Sequence, residues 1–238
     1  MKILNKILNT IYPQNYTCNI CGDEVFSGDD KSICNACENS LPKISGKVCE
    51  RCGEPIWSMA TYCDRCQHKN PKFYKCRSAF LYKDEVVKLI RDFKFSNKRY
   101  LCNHLAKYLE ELYIKENFSC DVIVPVPIHS ERLKQRGYNQ SELLANRLGE
   151  ILNIPVDKTN LIKVKQTLNQ ADLNFKQRQE NLKDAFKVVD KNAFCGKNVL
   201  IIDDVYTTGS TINNCAVVLQ KAKAKRVFAL TIAHTILE

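Results

Sequence analysis

The sequence lacks any long apolar run. None of its stretches approaches the ~18 apolar residues of a membrane-spanning helix, which argues against an integral membrane protein. The first twelve residues have apolar side chains at helical spacing, but polar residues interrupt them, so a signal-peptide core is also missing. We expect a short amphipathic helix docked on the protein here, with a membrane-surface anchor as the alternative.

Negative charge is scarce over most of the chain. The 238 residues include 36 Lys and Arg against 26 Asp and Glu, a net charge of +10. Residues 1–68 hold seven basic and eight acidic side chains, a net −1, so residues 69–238 carry +11. Any attraction to a polyanion such as nucleic acid is therefore expected mainly in the larger part.

Cysteine, in contrast, is abundant. A secreted disulfide scaffold is one explanation for thirteen cysteines, but the odd count, the missing signal sequence and the Cys-x-x-Cys grouping argue against it. We therefore expect a reducing, cytoplasmic location. The five cysteines outside the pairs are interpreted as small buried residues; they are Cys76, Cys102, Cys120, Cys195 and Cys215.

The paired cysteines have the spacing of zinc ligands. The pairs are Cys18/Cys21, Cys34/Cys37, Cys49/Cys52 and Cys63/Cys66. Two four-cysteine sites would use all eight thiolates and leave no open position, so the two Zn²⁺ ions are predicted to be structural. Sequential pairing is favoured, interleaved pairing of the first and third pairs stays open, and His68 is a weaker candidate ligand.

Cysteine density also divides the chain. The polar, proline-containing stretch at residues 67–72 is the predicted boundary between a module at 1–70 and a domain at 71–238. In the larger part, apolar strand-like runs alternate with helical patterns. This alternation predicts an α/β fold with a mostly parallel sheet and a ligand site at the carboxyl ends of its strands.

The segment VLIIDDVYTTGST at residues 199–211 carries the main candidate site. A buried strand, Val199 to Ile202, is predicted to end at Asp203 and Asp204, and a hydroxyl- and glycine-rich loop then opens a helix. Such a loop offers backbone N–H groups and a favourable helix dipole to a phosphate. The two acids are placed to accept hydrogen bonds from sugar hydroxyls, with Mg²⁺ offsetting their repulsion. The segment therefore predicts a phosphorylated-sugar site rather than a capped turn. A Walker loop is excluded because its Gly-Lys-Ser/Thr ending is absent.

This segment resembles the signature of type I phosphoribosyltransferases, and nearly the whole chain is similar to the ComF family of competence proteins. The cysteine module, VPVPIH at 124–129, RGYNQ at 136–140, residues 170–181 and Ala185-Phe186 carry the likeness. The resemblance implies a type I phosphoribosyltransferase fold: a central, mostly parallel sheet flanked by helices, with a hood formed between Glu85 and Leu112. A small zinc-ribbon module would be attached to it.

The resemblance also implies the roles of the site residues. Asp203 and Asp204 would bind the ribose hydroxyls and the metal and so serve catalysis, and Thr207 to Thr211 would hold the 5′-phosphate. A lid at residues 166–181 would include Arg178. The residues expected to contact phosphoribosyl diphosphate are Val205, Tyr206, Thr207, Thr208, Gly209, Ser210, Thr211, Arg132, Lys134, Arg136 and Arg178.

Other polar residues near these segments are interpreted as structural. Asp121 is expected to cap a strand, and the three histidines at 104, 129 and 234 lack a partner cluster. The alternative for the four basic side chains is that they are solvated surface charges; they are Arg132, Lys134, Arg136 and Arg178.

Two functions follow from this interpretation. One is phosphoribosyl transfer with release of pyrophosphate, for which the sequence shows no evident general base and no acceptor. A glutamine-dependent amidotransferase is disfavoured, because no glutaminase half precedes the site and position 2 is lysine. The other, implied by the resemblance, is binding of single-stranded DNA in natural transformation, with a competence helicase or DNA-processing protein as a further partner. A non-catalytic phosphoribosyl-diphosphate sensor is the alternative to the enzyme.

Aromatic side chains among basic ones in the hood segment agree with a DNA surface, and burial of these aromatics as core is the competing interpretation. The aromatics are Phe93, Phe95, Tyr100, Tyr108 and Tyr113, and the basic residues are Lys88, Arg91, Lys94, Lys98 and Arg99.

Overall fold

The computed structural model describes residues 17–25, 32–165 and 184–236. The expected amino-terminal helix and the lid with Arg178 lie outside these residues. Among the described helices, none is both long and apolar enough to cross a membrane. The elements are α1 (Asn35–Ser40), α2 (Asp64–Lys69), β1 (Lys75–Leu81), α3 (Asp84–Phe95), α4 (Leu101–Lys115), β2 (Val122–Pro125), α5 (Ser130–Arg136), α6 (Gln140–Leu152), β3 (Leu161–Lys163), β4 (Phe186–Val188), a 3₁₀ turn (Lys191–Phe194), β5 (Asn198–Tyr206), α7 (Ser210–Lys221) and β6 (Arg226–His234).

A parallel sheet forms the centre of the larger part. Its strand order is β1-β6-β5-β2, and every neighbouring pair in it is parallel. Strand β5 is buried along its apolar half, as expected for a strand covered on both faces. The segment 155–157 extends the sheet beyond β2 through hydrogen bonds with Ile123.

Strand β5 is longer than predicted. It does not end before the acids but runs through Asp203 and Asp204 to Tyr206, because Asp203, Val205 and Tyr206 pair with β6. The carboxylates therefore project from a strand rather than from a loop. The predicted strand at Leu161 to Val164 also exists, but it pairs antiparallel with β4 in a separate two-stranded sheet.

Helices cover both faces of the central sheet. Helices α3, α4 and α6 pack on one face, where Val86, Leu89, Ile90 and Phe93 supply the buried stripe of α3. Helix α7 and the β3-β4 sheet pack on the other face. The stripe has the i, i+3, i+4, i+7 spacing of a helix facing a core, so the helices follow from the apolar pattern of the sequence.

The cysteine module lies along the β1 edge of the sheet. We call residues 18–37 the first ribbon and residues 49–66 the second ribbon. Cys18 and Ile33 of the first ribbon join the core under α3 and α4, whereas Cys49 and Cys52 of the second ribbon join the core under α7. The module therefore straddles the sheet edge, and the two ribbons touch opposite faces.

Arg77 of β1 fastens the module to this edge. Its guanidinium is buried, donates to the carbonyls of Cys49 and Glu50, and pairs with the carboxylates of Glu50 and Glu116 at 3.2 and 2.9 Å. A buried charge needs such partners to offset its desolvation. The division at residue 70 stays a prediction, since the two parts share both cores.

Candidate functional site

The eight paired cysteines form two separate groups. Cys18, Cys21, Cys34 and Cys37 make one group and the other four make the second, and the sulfurs within each group all lie within 4.8 Å of one another. The Cys21–Cys34 and Cys52–Cys63 sulfurs are 3.8 and 3.6 Å apart. A zinc tetrahedron with Zn–S distances of about 2.3 Å has edges of about 3.8 Å. The residues fit Zn²⁺, the pairing is sequential, and His68 belongs to neither group.

Tight turns prepare each ribbon for the metal. The Cys18 sulfur accepts backbone N–H groups of Ile20 and Cys34 at 3.4 and 3.3 Å. Gly53 has a φ of +78°, and a β-carbon there would lie 2.9 Å from the Cys76 carbonyl of β1. The second ribbon can therefore approach the sheet closely only because this position is glycine.

The acidic pair lies at the carboxyl end of β5. Asp203 accepts hydrogen bonds from the Ser141 hydroxyl of α6 and the Asp204 backbone N–H, both at 3.0 Å. Burial, and then the neighbouring charge of Asp204, raise the pKa of Asp203 to about 7. Lys94 of α3 forms an ion pair with Asp204, with Nζ 2.9 Å from Oδ1. The pair is thus an anionic centre with one cation of the chain already against it.

The loop that follows β5 opens helix α7. Gly209 has a φ of +75° and stands at the helix N-cap, and the hydroxyls of Thr208 and Ser210 lie 2.8 Å apart. These groups face the first turn, where backbone N–H groups have no partner within the helix. The arrangement offers hydroxyl and backbone donors to an anion, and the phosphate site stays a prediction.

Tyr206 supports this loop from beneath. Its side chain is only 5% exposed, stacks on His234 at 4.6 Å and lies directly against Gly209. The aromatic side chain therefore cannot reach a ligand, contrary to the contact expected for it. It fixes the loop because it fills the space under the glycine.

A cationic cavity of about 390 Å³ opens beside the acidic pair. It lies between the end of α3 and helix α5, and its lining is Lys94, Phe95, Asn97, Arg132, Gln135, Arg136 and Tyr138. Arg132 and Arg136 were predicted to contact phosphoribosyl diphosphate. Lys134 was also predicted, but it is exposed and outside the lining, because it lies on a different side of the α5 helix.

Three further polar residues belong to this region. Lys94 and Ser141 contact the acids directly. Burial, and then the charge of Arg132, lower the pKa of Lys163 on β3 to about 8, so this lysine stands close to the same cluster. Lys94 and Phe95 were among the hood residues considered for a DNA surface, but nothing in the sequence indicated that Lys94, Ser141 or Lys163 would lie beside the acidic pair.

The hood aromatics are mostly packed inside the protein. Phe93 and Tyr108 are buried. The Tyr100 hydroxyl donates to Asn19 of the first ribbon, and the Tyr108 hydroxyl donates to Glu38, the residue that follows this ribbon. Phe95, in contrast, is 70% exposed and stacks against the Arg136 guanidinium at 4.9 Å. Of the five aromatics, it is the one left available for stacking on a ligand.

Most, but not all, of the residues interpreted as structural or buried have that role in the structure. His129 caps α5, His104 bonds to the Tyr108 hydroxyl, and Asp121 accepts from the backbone of Asn198 at the start of β5. These residues are structural, as expected. The single cysteines at 76 and 215 are buried, but Cys195 is exposed because it follows the surface 3₁₀ turn.

Comparison with known proteins agrees with the geometry. The family model of the double zinc ribbon domain matches residues 7–67. "Competence protein F" of Haemophilus influenzae is 33% identical over 220 residues, which cover 90% of this chain and 94% of that protein. This chain belongs to the ComF family of competence proteins. "Competence protein ComFC" of Bacillus subtilis is 28% identical over 240 residues, covering 92% of this ComF chain and 95% of the relative.

A solved structure of the glutamine phosphoribosylpyrophosphate amidotransferase from B. subtilis aligns with 59% of this ComF chain at 17% identity and a TM-score of 0.40. The alignment spans only 30% of that chain. The predicted fold class is confirmed: a parallel sheet with helices on both faces, joined to two four-cysteine ribbons.

Proposed function

We propose that this ComF-family chain binds phosphoribosyl diphosphate with Mg²⁺ and is a cytoplasmic phosphoribosyltransferase that acts during DNA uptake. The observation that carries the proposal is the adjacency of three elements whose chemistry suits anions and sugar hydroxyls. The acidic pair, the loop at Thr207 to Thr211 and the cationic cavity meet at one end of β5, and Lys94 links the last to Asp204.

The loop would hold the 5′-phosphate. Backbone N–H groups at the start of α7 and the Thr208 and Ser210 hydroxyls are donors, and the helix dipole favours the negative charge. Gly209 keeps the backbone accessible because it carries no side chain.

The acidic pair would accept the two ribose hydroxyls. The Lys94 ammonium against Asp204 supports a cation at this position, and carboxylate oxygens are the ligands that Mg²⁺ prefers. Mg²⁺, when bound, supplies positive charge to the diphosphate oxygens as the leaving group departs. Asp203 is oriented for its role by the Ser141 hydroxyl.

The cavity would hold the diphosphate. Arg132, Arg136 and Lys94 line it and would stabilise the charge that develops as the ribose–oxygen bond breaks. Positioning of the two ends of the ligand would supply much of the remaining rate acceleration.

Calorimetric titration with phosphoribosyl diphosphate, with and without Mg²⁺, tests the proposal. We expect Mg²⁺-dependent binding that Asp204→Asn weakens by about tenfold or more. Asp190→Asn is the control, since Asp190 caps the distant 3₁₀ turn. Absence of heat with the native protein rejects the pocket. Binding without pyrophosphate release, across nucleobases, nucleosides and oligonucleotides as acceptors, would favour the sensor alternative.

The exposed Phe95 favours a second function, binding of single-stranded DNA. Arg136 lies over the Phe95 ring and Arg99 over Tyr138, so aromatic faces and cations alternate at the rim of the cavity. Bases would stack on Phe95 while the arginines bind phosphates. A competence helicase or another DNA-processing protein is a further proposed partner.

Fluorescence anisotropy with a labelled oligonucleotide tests this second function. Phe95→Ala should weaken binding by about tenfold, whereas Ile114→Ala, which removes a similarly exposed apolar side chain from α4, should not. Binding should also fall steeply with salt. Equal affinities of the two variants would exclude Phe95 as a stacking platform.

A further inference from the structure

Lys94 touches two parts of the site at once. Its ammonium lies 2.9 Å from Asp204 Oδ1, and the two side chains are only 22% and 12% exposed. The same side chain lines the cavity together with Arg132 and Arg136. One cation therefore stands at the junction between the metal position and the diphosphate position.

The backbone of Lys94 is held in place, whereas its side chain can reach either Asp204 or the cavity. The Tyr138 hydroxyl donates to the Phe93 carbonyl at 2.5 Å, and the Gln140 amide donates to the Lys94 carbonyl at 3.4 Å. Gln140 in turn accepts from Arg136 at 2.6 Å. The last turn of α3 is thus tied to the segment that carries the cavity arginines, whereas the flexible four-carbon stem of lysine lets its charge move.

Lys94 and a metal ion bound by the acids would compete for one oxygen, Asp204 Oδ1. An ammonium in contact with Asp204 Oδ1 offsets the repulsion between the two acids, and a divalent ion that bound the same oxygen would have to displace it. The displaced ammonium stays beside Arg132 and Arg136, where an anion would attract it.

We propose that Lys94 is an exchangeable counter-ion, which neutralises Asp204 before the metal binds and then moves to the diphosphate. The inference rests on the proposed function, because it assumes that the metal and phosphoribosyl diphosphate bind at this site. It predicts effects of opposite sign when the charge is removed, which a purely structural role for Lys94 does not produce.

Two titrations measure these effects. Mn²⁺ binding, followed by electron paramagnetic resonance without any phosphate ligand, should tighten by about threefold in Lys94→Met, because the competing cation is gone. The affinity for phosphoribosyl diphosphate at saturating Mg²⁺ should fall by about tenfold in the same variant. Lys94→Arg, which keeps the charge, should restore most of this affinity.

Lys158→Met is the matched control, since it also removes a lysine paired with a carboxylate, Glu142, at 3.7 Å. It should change neither titration. If Lys94→Met does not fold, Lys94→Gln carries the same two expectations.

Unchanged or weaker Mn²⁺ binding in the Lys94 variant, or unchanged affinity for phosphoribosyl diphosphate, overturns the exchange while the proposed function stands. A native protein that binds neither probe overturns both.

Discussion

Replacement of Gly209 by alanine tests how firmly the phosphate loop is seated. With a φ of +75°, the position lies in the left-handed region, where a side chain costs about 1 kcal/mol or more. A β-carbon there would also lie 2.6 Å from Cζ and 3.0 Å from Cε2 of Tyr206. That ring is buried between His234 and Phe73, so it cannot easily withdraw, and overpacking adds about 1–3 kcal/mol.

Gly196→Ala provides the matched control. Gly196 has a φ of +73°, and a β-carbon there would meet nothing within 4 Å. It therefore suffers the backbone cost alone. The difference between the two variants isolates the contact between the loop and Tyr206.

Thermal and urea unfolding measure this difference. We expect Gly209→Ala to melt below Gly196→Ala by about 2 to 12 °C, since about 1 kcal/mol corresponds to 2–4 °C in a chain of this size. Below its melting temperature, Gly209→Ala should also bind phosphoribosyl diphosphate more weakly. Equal melting temperatures for the two variants would show that the loop is not fixed by Tyr206 and refute the reasoning.

Three further predictions concern charge and metal. Asp203→Asn should stabilise the protein above pH 7. The pKa of Asp203 is raised from 3.8 to about 7, so its ionised carboxylate destabilises the folded state by at most about 4 kcal/mol. In urea titrations, the stability gained by the variant should shrink as the pH falls through 7 and vanish below about 4. Arg77→Ala should destabilise the fold by about 3 kcal/mol, measured by urea unfolding, whereas an unchanged midpoint would contradict the bridging role. Elemental analysis should find two zinc ions in the native chain and about one in Cys52→Ala; full retention in the variant would contradict the second site.

Local chemistry explains which parts of the site could be predicted. The Cys-x-x-Cys spacing identified the eight zinc ligands, and the acids follow a buried apolar run, so both were identifiable from residues close in sequence; the sequential grouping was favoured, but the structure was needed to exclude the interleaved one. The extension of β5 was not, because strand pairing uses backbone atoms and Thr231 and Ala233 of β6 continue the ladder past the acids. The sheet that includes Leu161 to Lys163 could not be predicted either, because it depends on pairing with a strand distant in sequence, β4.

The hood shows both the use and the limit of periodicity. Phe93 shares the buried stripe of Val86, Leu89 and Ile90, whereas Phe95 is two residues further round the helix and faces outward. Helical spacing therefore distinguishes a core aromatic from an exposed one. It could not place Lys94 against Asp204, because that ion pair depends on how α3 packs over the sheet.

The position of the cysteine module at β1 has a consequence for self-association. An edge strand presents unpaired backbone groups that can add strands from other chains. In this protein, Leu81 donates to Pro42, Ile44 donates to Ala79, and Cys76 donates to Arg51, so module residues occupy that edge. Small zinc ribbons generally fold only when their metal is bound. Loss of the metal would thus expose the β1 edge to strand pairing with other chains. Bound zinc would therefore protect the protein from aggregation as well as stabilise the ribbons.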